Sequence, residues 1–381
     1  MSNRLTDHKN LNLAELHRQV IRGTSGGKII WQPRIGCWLT DKQFDNEPIP
    51  PPFDRLPYEA YFDELECSAR IYEYNRCFRA IEHPAVKRID EELPGGIVKT
   101  TIKTPVGEQV QLDRHSSNSP RMLHVKRIIE SREELKVATW RLDNAGWEWD
   151  QNEFERLNQK WGNRGLPTMY MPRVNVQDLY ISTMSTEKAI YAIYDWTDQV
   201  ETYFRALDDN HERLMYIINA SPVDVINFGD NIHCGTLPPY LYEKYVLPAY
   251  LKRCDLLHQA NKFISAHWDG DVKALLPYAK ISGLDGIEAI TPKPQGDVTI
   301  EETKDALGDD IFLLDGIPAI LFDSTFPVSM LEEFTLRVIE LFAPKLILGI
   351  SDEISSHGEI DRIRVVGKIV DDYNASVGRK E

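Results

Sequence analysis

The chain has 381 residues, of which 42% are hydrophobic and 27% charged, the make-up of an ordinary globular protein. Its formal net charge of −15 argues against nucleic acid as a partner, because binding to a phosphate backbone rests on clustered Lys and Arg. No run approaches the roughly 20 apolar residues that a bilayer crossing needs, and the five scattered cysteines, with no Cys-x-x-Cys pair, point away from a disulfide framework and from a thiolate zinc site.

The first residues, 1–12, are polar and charged, unlike the apolar core of a signal peptide, so the cytoplasm is the expected compartment. Residues 1–27 read as an N-terminal helical extension. Lys28-Ile29-Ile30-Trp31-Gln32-Pro33-Arg34 reads as a first strand running into its loop, and the Pro-rich stretch 46–57 as irregular chain. Residues 97–113 alternate around Pro105-Val106-Gly107, a hairpin signal, which places a β-hairpin insertion at 96–114. Leu166-Pro167-Thr168-Met169-Tyr170-Met171 reads as another strand, followed by a helix over 188–207. Asp209-x-His211 matches the start of a corrinoid-binding D-x-H-x-x-G motif. Leu214 stands where the Gly belongs, and the stretch reads as the solvated face of a charged helix.

From residue 223 the chain alternates two periods. Short apolar runs at 223–228, 263–266, 286–290, 311–314 and 345–350 read as buried strands. Helical patterns at 239–259, 271–280, 299–307, 329–342 and 359–373 follow them in turn. Thr299…Glu302, Ser329…Glu332 and Ser356…Glu359 have the spacing of a capping box. Short apolar strands separated by helices predict a parallel sheet covered on both faces. No phosphate-binding glycine motif of the open doubly wound sheets occurs, which favours a (β/α)₈ TIM-type barrel over the whole of 1–381 as a single domain.

In such a barrel the chemistry sits at the carboxyl ends of the strands. Those positions hold Arg34, then Asp230, Asn231, His233 and Cys234, then His267, Trp268, Asp269 and Asp271, then Glu288, Asp315 and Ser351-Asp352-Glu353. His267, Asp269, Glu288 and Asp352 come from neighbouring units, and ligands at adjacent strand ends are able to converge on one metal ion. Asp269 and Asp352 would serve equally as helix caps, and His267 as a satisfied hydrogen-bonding residue. Glu288 lies inside an apolar strand, where a carboxylate must be paired or protonated. Asp230, Asn231 and His233 suit substrate holding or proton transfer, or else a local Asx turn ahead of Pro238-Pro239. Arg34 suits an anionic group or a surface salt bridge.

Trp31-Gln32-Pro33-Arg34, Thr104-Pro105-Val106-Gly107, Asp230-Asn231, His267-Trp268-Asp269-Gly270-Asp271 and the segment 296–316 give a chain that resembles the uroporphyrinogen decarboxylase superfamily from about residue 25 to about 375. That resemblance implies a heme-pathway decarboxylase or a zinc- and corrinoid-dependent methyltransferase. Against the decarboxylases, Arg34 is the only arginine in its stretch and no Phe-Ser-Asp occurs. Against the thiol-alkylating methyltransferases, Asp269 stands at the first zinc Cys and Ser351-Asp352 near the second. A zinc ion with oxygen and nitrogen ligands is the stronger Lewis acid. The expectation is therefore an O-demethylase-type methyltransferase that moves a methyl group from a small methoxylated substrate to a corrinoid protein, with the cobalamin on that separate partner. In this reading Asp230, Asn231 and His233 are catalytic; Arg34, Trp268 and Asp315 bind substrate; and His267, Asp269, Glu288 and Asp352 hold zinc. A decarboxylase-like lyase and a non-catalytic binding protein are the alternatives, and a homo-oligomer is compatible with all three.

Overall fold

The structure is a computed structural model that describes residues 12–378. Seven parallel strands form one curled sheet: β1 (Ile30–Trp31), β2 (Thr168–Met171), β3 (Val225–Ile232), β4 (Phe263–Trp268), β5 (Gly286–Glu288), β6 (Phe312–Pro318) and β7 (Leu346–Ser351). Their order is β1-β7-β6-β5-β4-β3-β2. The gap between β1 and β2 is spanned by residues 68–71. The Ser68 N–H donates to the Trp31 carbonyl at 2.9 Å, and Ile71 forms a parallel bridge with Pro167. This segment is an irregular eighth stave, and the sheet is a TIM-type barrel.

The two-residue period of a strand sorts each stave into an inner and an outer face. On β4, Ile264, Ala266 and Trp268 join the large core between sheet and helices, while Phe263 belongs to a second cluster inside the barrel. That inner cluster also holds Ile30, Leu166, Val225, Phe312, Leu314 and Ile347 and fills the amino-terminal end. The helix Leu13–Ile21 closes it from below with Ala14 and Val20. Residues 1–11 of the expected N-terminal extension lie outside the described residues. Above the apolar plug the inward positions turn polar: Gln32, Arg70, Asn227 and Glu288 are all buried there. Asp315 joins them because its φ of 76° breaks the alternation of β6 and turns its carboxylate inward.

Several local expectations need correcting. Thr299 and Glu302 form the capping box on the helix Ile300–Leu307. The two others do not form: one helix begins at Val328, after Pro327, and the next at Asp361, well past Ser356. The stretch 271–280 is helical only as a short 3₁₀ segment, Leu276–Ile281, because Pro277 interrupts it and Asp297 takes the Val272 and Lys273 N–H groups. The hairpin strands Ile97–Thr104 and Gly107–His115 are the centre of a four-stranded antiparallel sheet, flanked by Lys87–Leu93 and Met122–Lys126. His211 is not on a solvated face. Its helix, Thr197–Ala220, turns Asn210, His211 and Leu214 inward, and Arg253 meets His211 Nδ1 at 2.7 Å. Among the described residues, no helix is long and apolar enough to cross a membrane.

Candidate active site

At the barrel mouth the polar interior opens towards a cavity of about 280 Å³, whose lining includes Arg34, Leu39, Tyr58, Phe62, Arg70, Tyr72 and Glu353. The hub of the site is Glu288, the last residue of β5 and 1% exposed. Its Oε1 accepts hydrogen bonds from Arg70 Nη1 at 2.8 Å and from the Tyr170 hydroxyl at 2.6 Å, with His267 Nδ1 at 3.2 Å and Arg34 Nη1 at 3.7 Å. Oε2 accepts from Asn227 Nδ2. Burial opposes ionisation, but Arg70, His267 and Arg34 hold the Glu288 carboxyl well below the usual carboxylate range.

Arg70 holds this constellation together. Nη2 and Nη1 reach both Asp315 oxygens, at 2.6 and 3.1 Å, and Nε donates to Gln32 Oε1 at 3.0 Å. Burial and the nearby Glu288 raise the Asp315 pKa against the pull of Arg70. The strand opposite must leave room for this pair. A Cβ on Gly349 would sit 2.2 Å from Asp315 Oδ1 and 2.8 Å from the Gln32 carbonyl. On β3, a Cβ at Gly229 would sit 2.5 Å from the Tyr170 ring.

His267 stands between two carboxylates, with Glu288 at Nδ1 and Asp269 Oδ2 3.7 Å from Nε2. Burial alone would lower its pKa, yet the neighbouring carboxylates of Asp269 and Glu288 raise it to about 9. The imidazole is therefore a buried cation at neutral pH. Asp269, correspondingly, is held below its ordinary range by His267 and Asn231 despite its burial.

Arg34 is 10% exposed at its side chain and faces Glu288 and Glu353, each at 3.7 Å. These ion pairs lie beyond hydrogen-bonding distance. Its Nε and Nη1 are buried and have no hydrogen-bond partner among the described residues.

The other expected residues lie apart from this centre. Trp268 faces the helix layer, fully buried and edge-on to Tyr242 at 5.7 Å, because it follows inward-facing His267 by one residue. Asp230 is likewise turned away, and its carboxylate accepts from the Val174 N–H at 2.7 Å and the Tyr250 hydroxyl at 2.7 Å. It holds the loop after β2. Both His233 ring nitrogens are engaged by their own turn, with Gly235 N and Thr236 Oγ1 at 3.2 Å. Asn231 does reach the site: Nδ2 donates to Asp269 Oδ2 at 3.1 Å and Oδ1 accepts from Arg173 Nη2 at 2.9 Å. Asp352 is exposed, and its neighbour Glu353 takes the place at the cavity, accepting the Cys37 N–H.

The four residues expected to hold zinc do not make a zinc site. Asp352 is outside the cluster, and Glu288 spends its oxygens on Arg70, Tyr170 and Asn227. His267 and Asp269 alone give two donors, and among the described residues no group of three or more His, Cys, Asp or Glu is placed to hold a metal ion. Sequence reasoning missed Arg70, Tyr72, Tyr170 and Arg173, and named Glu353 only as a strand-end position beside Asp352. Tyr170 was legible as the inward member of the alternating Thr168-Met169-Tyr170-Met171, whereas Arg70 sits on a stave with no strand pattern.

No family model matches the chain, and no curated protein matches it. Among solved structures, a methyltransferase from Methanosarcina mazei is similar at a TM-score of 0.49 and 12% identity, over 68% of this chain and 75% of that one. A B12-independent methionine synthase from Shewanella sp. W3-18-1 gives 0.38 and 11%, over 90% and 85%. A GH18 chitinase from Flavobacterium johnsoniae gives 0.35 and 11%, over 61% and 83%.

Proposed function

We propose that this chain is an enzyme that seats a small carboxylate-bearing substrate on Arg34 and transfers a methyl group from a methoxy oxygen of that substrate. Arg34 carries the reading. A guanidinium nine-tenths buried beside a cavity, with unpaired donors, is costly to leave empty, by roughly 1–3 kcal/mol or more for each such group. A substrate carboxylate would supply the close hydrogen-bond acceptors that Glu288 and Glu353, each at 3.7 Å, do not.

His267 supplies the second element. With the methyl group removed, the substrate oxygen would be left as an alkoxide or phenoxide, a poor leaving group, so it needs a proton as the C–O bond breaks. The pair of electrons in the C–O bond stays with oxygen, which takes the His267 proton and becomes a hydroxyl, leaving a neutral imidazole. Asp269 and Glu288 hold the imidazolium in place beforehand. In the branch that the sequence resembles, the methyl acceptor is a corrinoid carried by a separate partner protein, which would supply the nucleophile.

A carboxy-lyase is the second reading, favoured by the same pairing of arginine with a buried imidazolium. Loss of CO₂ leaves an electron pair on carbon, which a held proton quenches without a metal. The two readings separate by product. The full chain is incubated with methoxylated benzoates and aliphatic methoxy acids, with and without reduced cobalamin. Cobalamin-dependent appearance of the hydroxy acid supports methyl transfer, CO₂ release supports the lyase, and binding without either product overturns the enzyme reading. With the substrate so found, Arg34→Gln raises KM about 10- to 100-fold, the equivalent of one charge-assisted hydrogen bond, with kcat little changed. An unchanged KM contradicts the assignment.

A further inference from the structure

Arg34 is not the only guanidinium left short of partners at the mouth. Arg173 follows β2 by two residues, and its Nη2 donates to Asn231 Oδ1 at 2.9 Å. Its Nε is buried without a hydrogen-bond partner, and no carboxylate lies within ion-pair distance of it among the described residues. The nearest candidates are occupied: Asp178 accepts from the Tyr203 hydroxyl at 2.5 Å, and Asp230 from Val174 N and Tyr250. Arg127, from the end of the insertion, lies close enough that the charge of Arg173 helps to lower its pKa, after burial and against Asp113. The two like charges are thus neighbours; Asp113 offsets Arg127, and Asp178 and Asp230 act on Arg173 only from beyond ion-pair distance.

The two underpartnered arginines belong to one site. A continuous chain of polar contacts joins them: Arg173 to Asn231 at 2.9 Å, Asn231 to Asp269 at 3.1 Å, Asp269 to His267 at 3.7 Å, His267 to Glu288 at 3.2 Å and Glu288 to Arg34 at 3.7 Å. His267 stands in the middle of that chain, with an arginine on either side. Asp269 Oδ1 is also buried without a partner, so a hydrogen-bond donor is wanted between the two cations.

We infer that the substrate is a dianion, with one acidic group on Arg34 and a second on Arg173, spanning the His267–Asp269 pair. This rests on the reading of the mouth as a carboxylate site and adds the second anchor to it. Arg173 is then a specificity-determining residue. It selects diacids over monoacids and fixes which atom of the substrate lies against His267, because a ligand held at both ends cannot rotate about one anchor.

The test is calorimetric titration of the full chain with succinate, glutarate, adipate and phthalate against butyrate, valerate, hexanoate and benzoate. At least one diacid binds 10-fold or more tightly than its matched monoacid. Arg173→Gln removes that advantage while leaving monoacid affinity unchanged, and Arg173→Lys, which keeps the charge, restores part of it. Arg34→Gln weakens both series. Melting temperatures of the variants show that each is folded. Monoacid binding that ignores Arg34→Gln overturns the carboxylate reading and this inference with it. Monoacid binding that responds to Arg34→Gln, with no diacid advantage or with one that survives Arg173→Gln, overturns this inference alone.

Discussion

Replacing Arg70 by Met keeps much of the side-chain volume and removes the charge that holds two buried carboxylates. Glu288 and Asp315 are 1% and 0% exposed, and Arg70 donates to both and to Gln32. Removing one partner of a buried ion pair costs roughly 3–5 kcal/mol. With Asp315 stranded and Glu288 left to His267 and Arg34, we expect the upper end, about 5 kcal/mol. For a chain of this size, with a urea slope of about 3 kcal/mol/M, the unfolding midpoint at pH 7 falls by roughly 1.7 M. The sign of the pH effect follows from the lost cation. In the native protein the Glu288 pKa is depressed, so its stabilisation is present above the unfolded carboxyl pKa and lost as pH falls. In the variant the buried carboxyls bind protons more readily, so the deficit is largest at neutral pH and narrows towards pH 5. Adding Asp315→Asn to Arg70→Met recovers part of the loss. A deficit below about 1 kcal/mol at pH 7, or one that widens on acidification, refutes the view that Arg70 holds the interior together.

Two further perturbations bear on the same site. His267, raised from 6.5 to about 9, contributes stability that is fully present below pH 6.5 and lost as pH rises through 9; the gap is worth about 3 kcal/mol. Urea midpoints between pH 6 and 9.5 therefore fall in the native chain and lose most of this slope in His267→Gln, and equal slopes would place the charge elsewhere. Gly349→Ala puts a methyl group 2.2 Å from Asp315 Oδ1, and the displaced Asp315–Arg70 pair costs roughly 1–3 kcal/mol; an unchanged melting temperature would mean that the β6–β7 spacing yields freely.

The parallel strands from residue 223 onward were legible because each is an apolar run bounded by a helical pattern, and the barrel follows from their alternation. The site was legible where a titratable residue ends such a run, as with His267 and Glu288. It was illegible where orientation decides. Trp268 and Asp230 lie at strand ends, but one step of the pleat turns them to the helix layer, while Asp315 reaches the interior only through a positive φ. Asp352 and Glu353 are neighbours, and only the loop geometry selects Glu353 for the cavity. Arg70 was hidden because the eighth stave is too short and irregular to have a period. The outer strands of the insertion, such as Lys87–Leu93, are exposed along their whole length and show no alternation of burial to read.

A crystal structure of the chain with 4-methoxybenzoate tests most directly whether the mouth seats a substrate carboxylate. The prediction is a carboxylate oxygen within about 3.2 Å of an Arg34 guanidinium nitrogen, with the ring in the cavity beside Tyr58 and Tyr72. An ordered ligand bound elsewhere, with the Arg34 donors still unpaired, contradicts it.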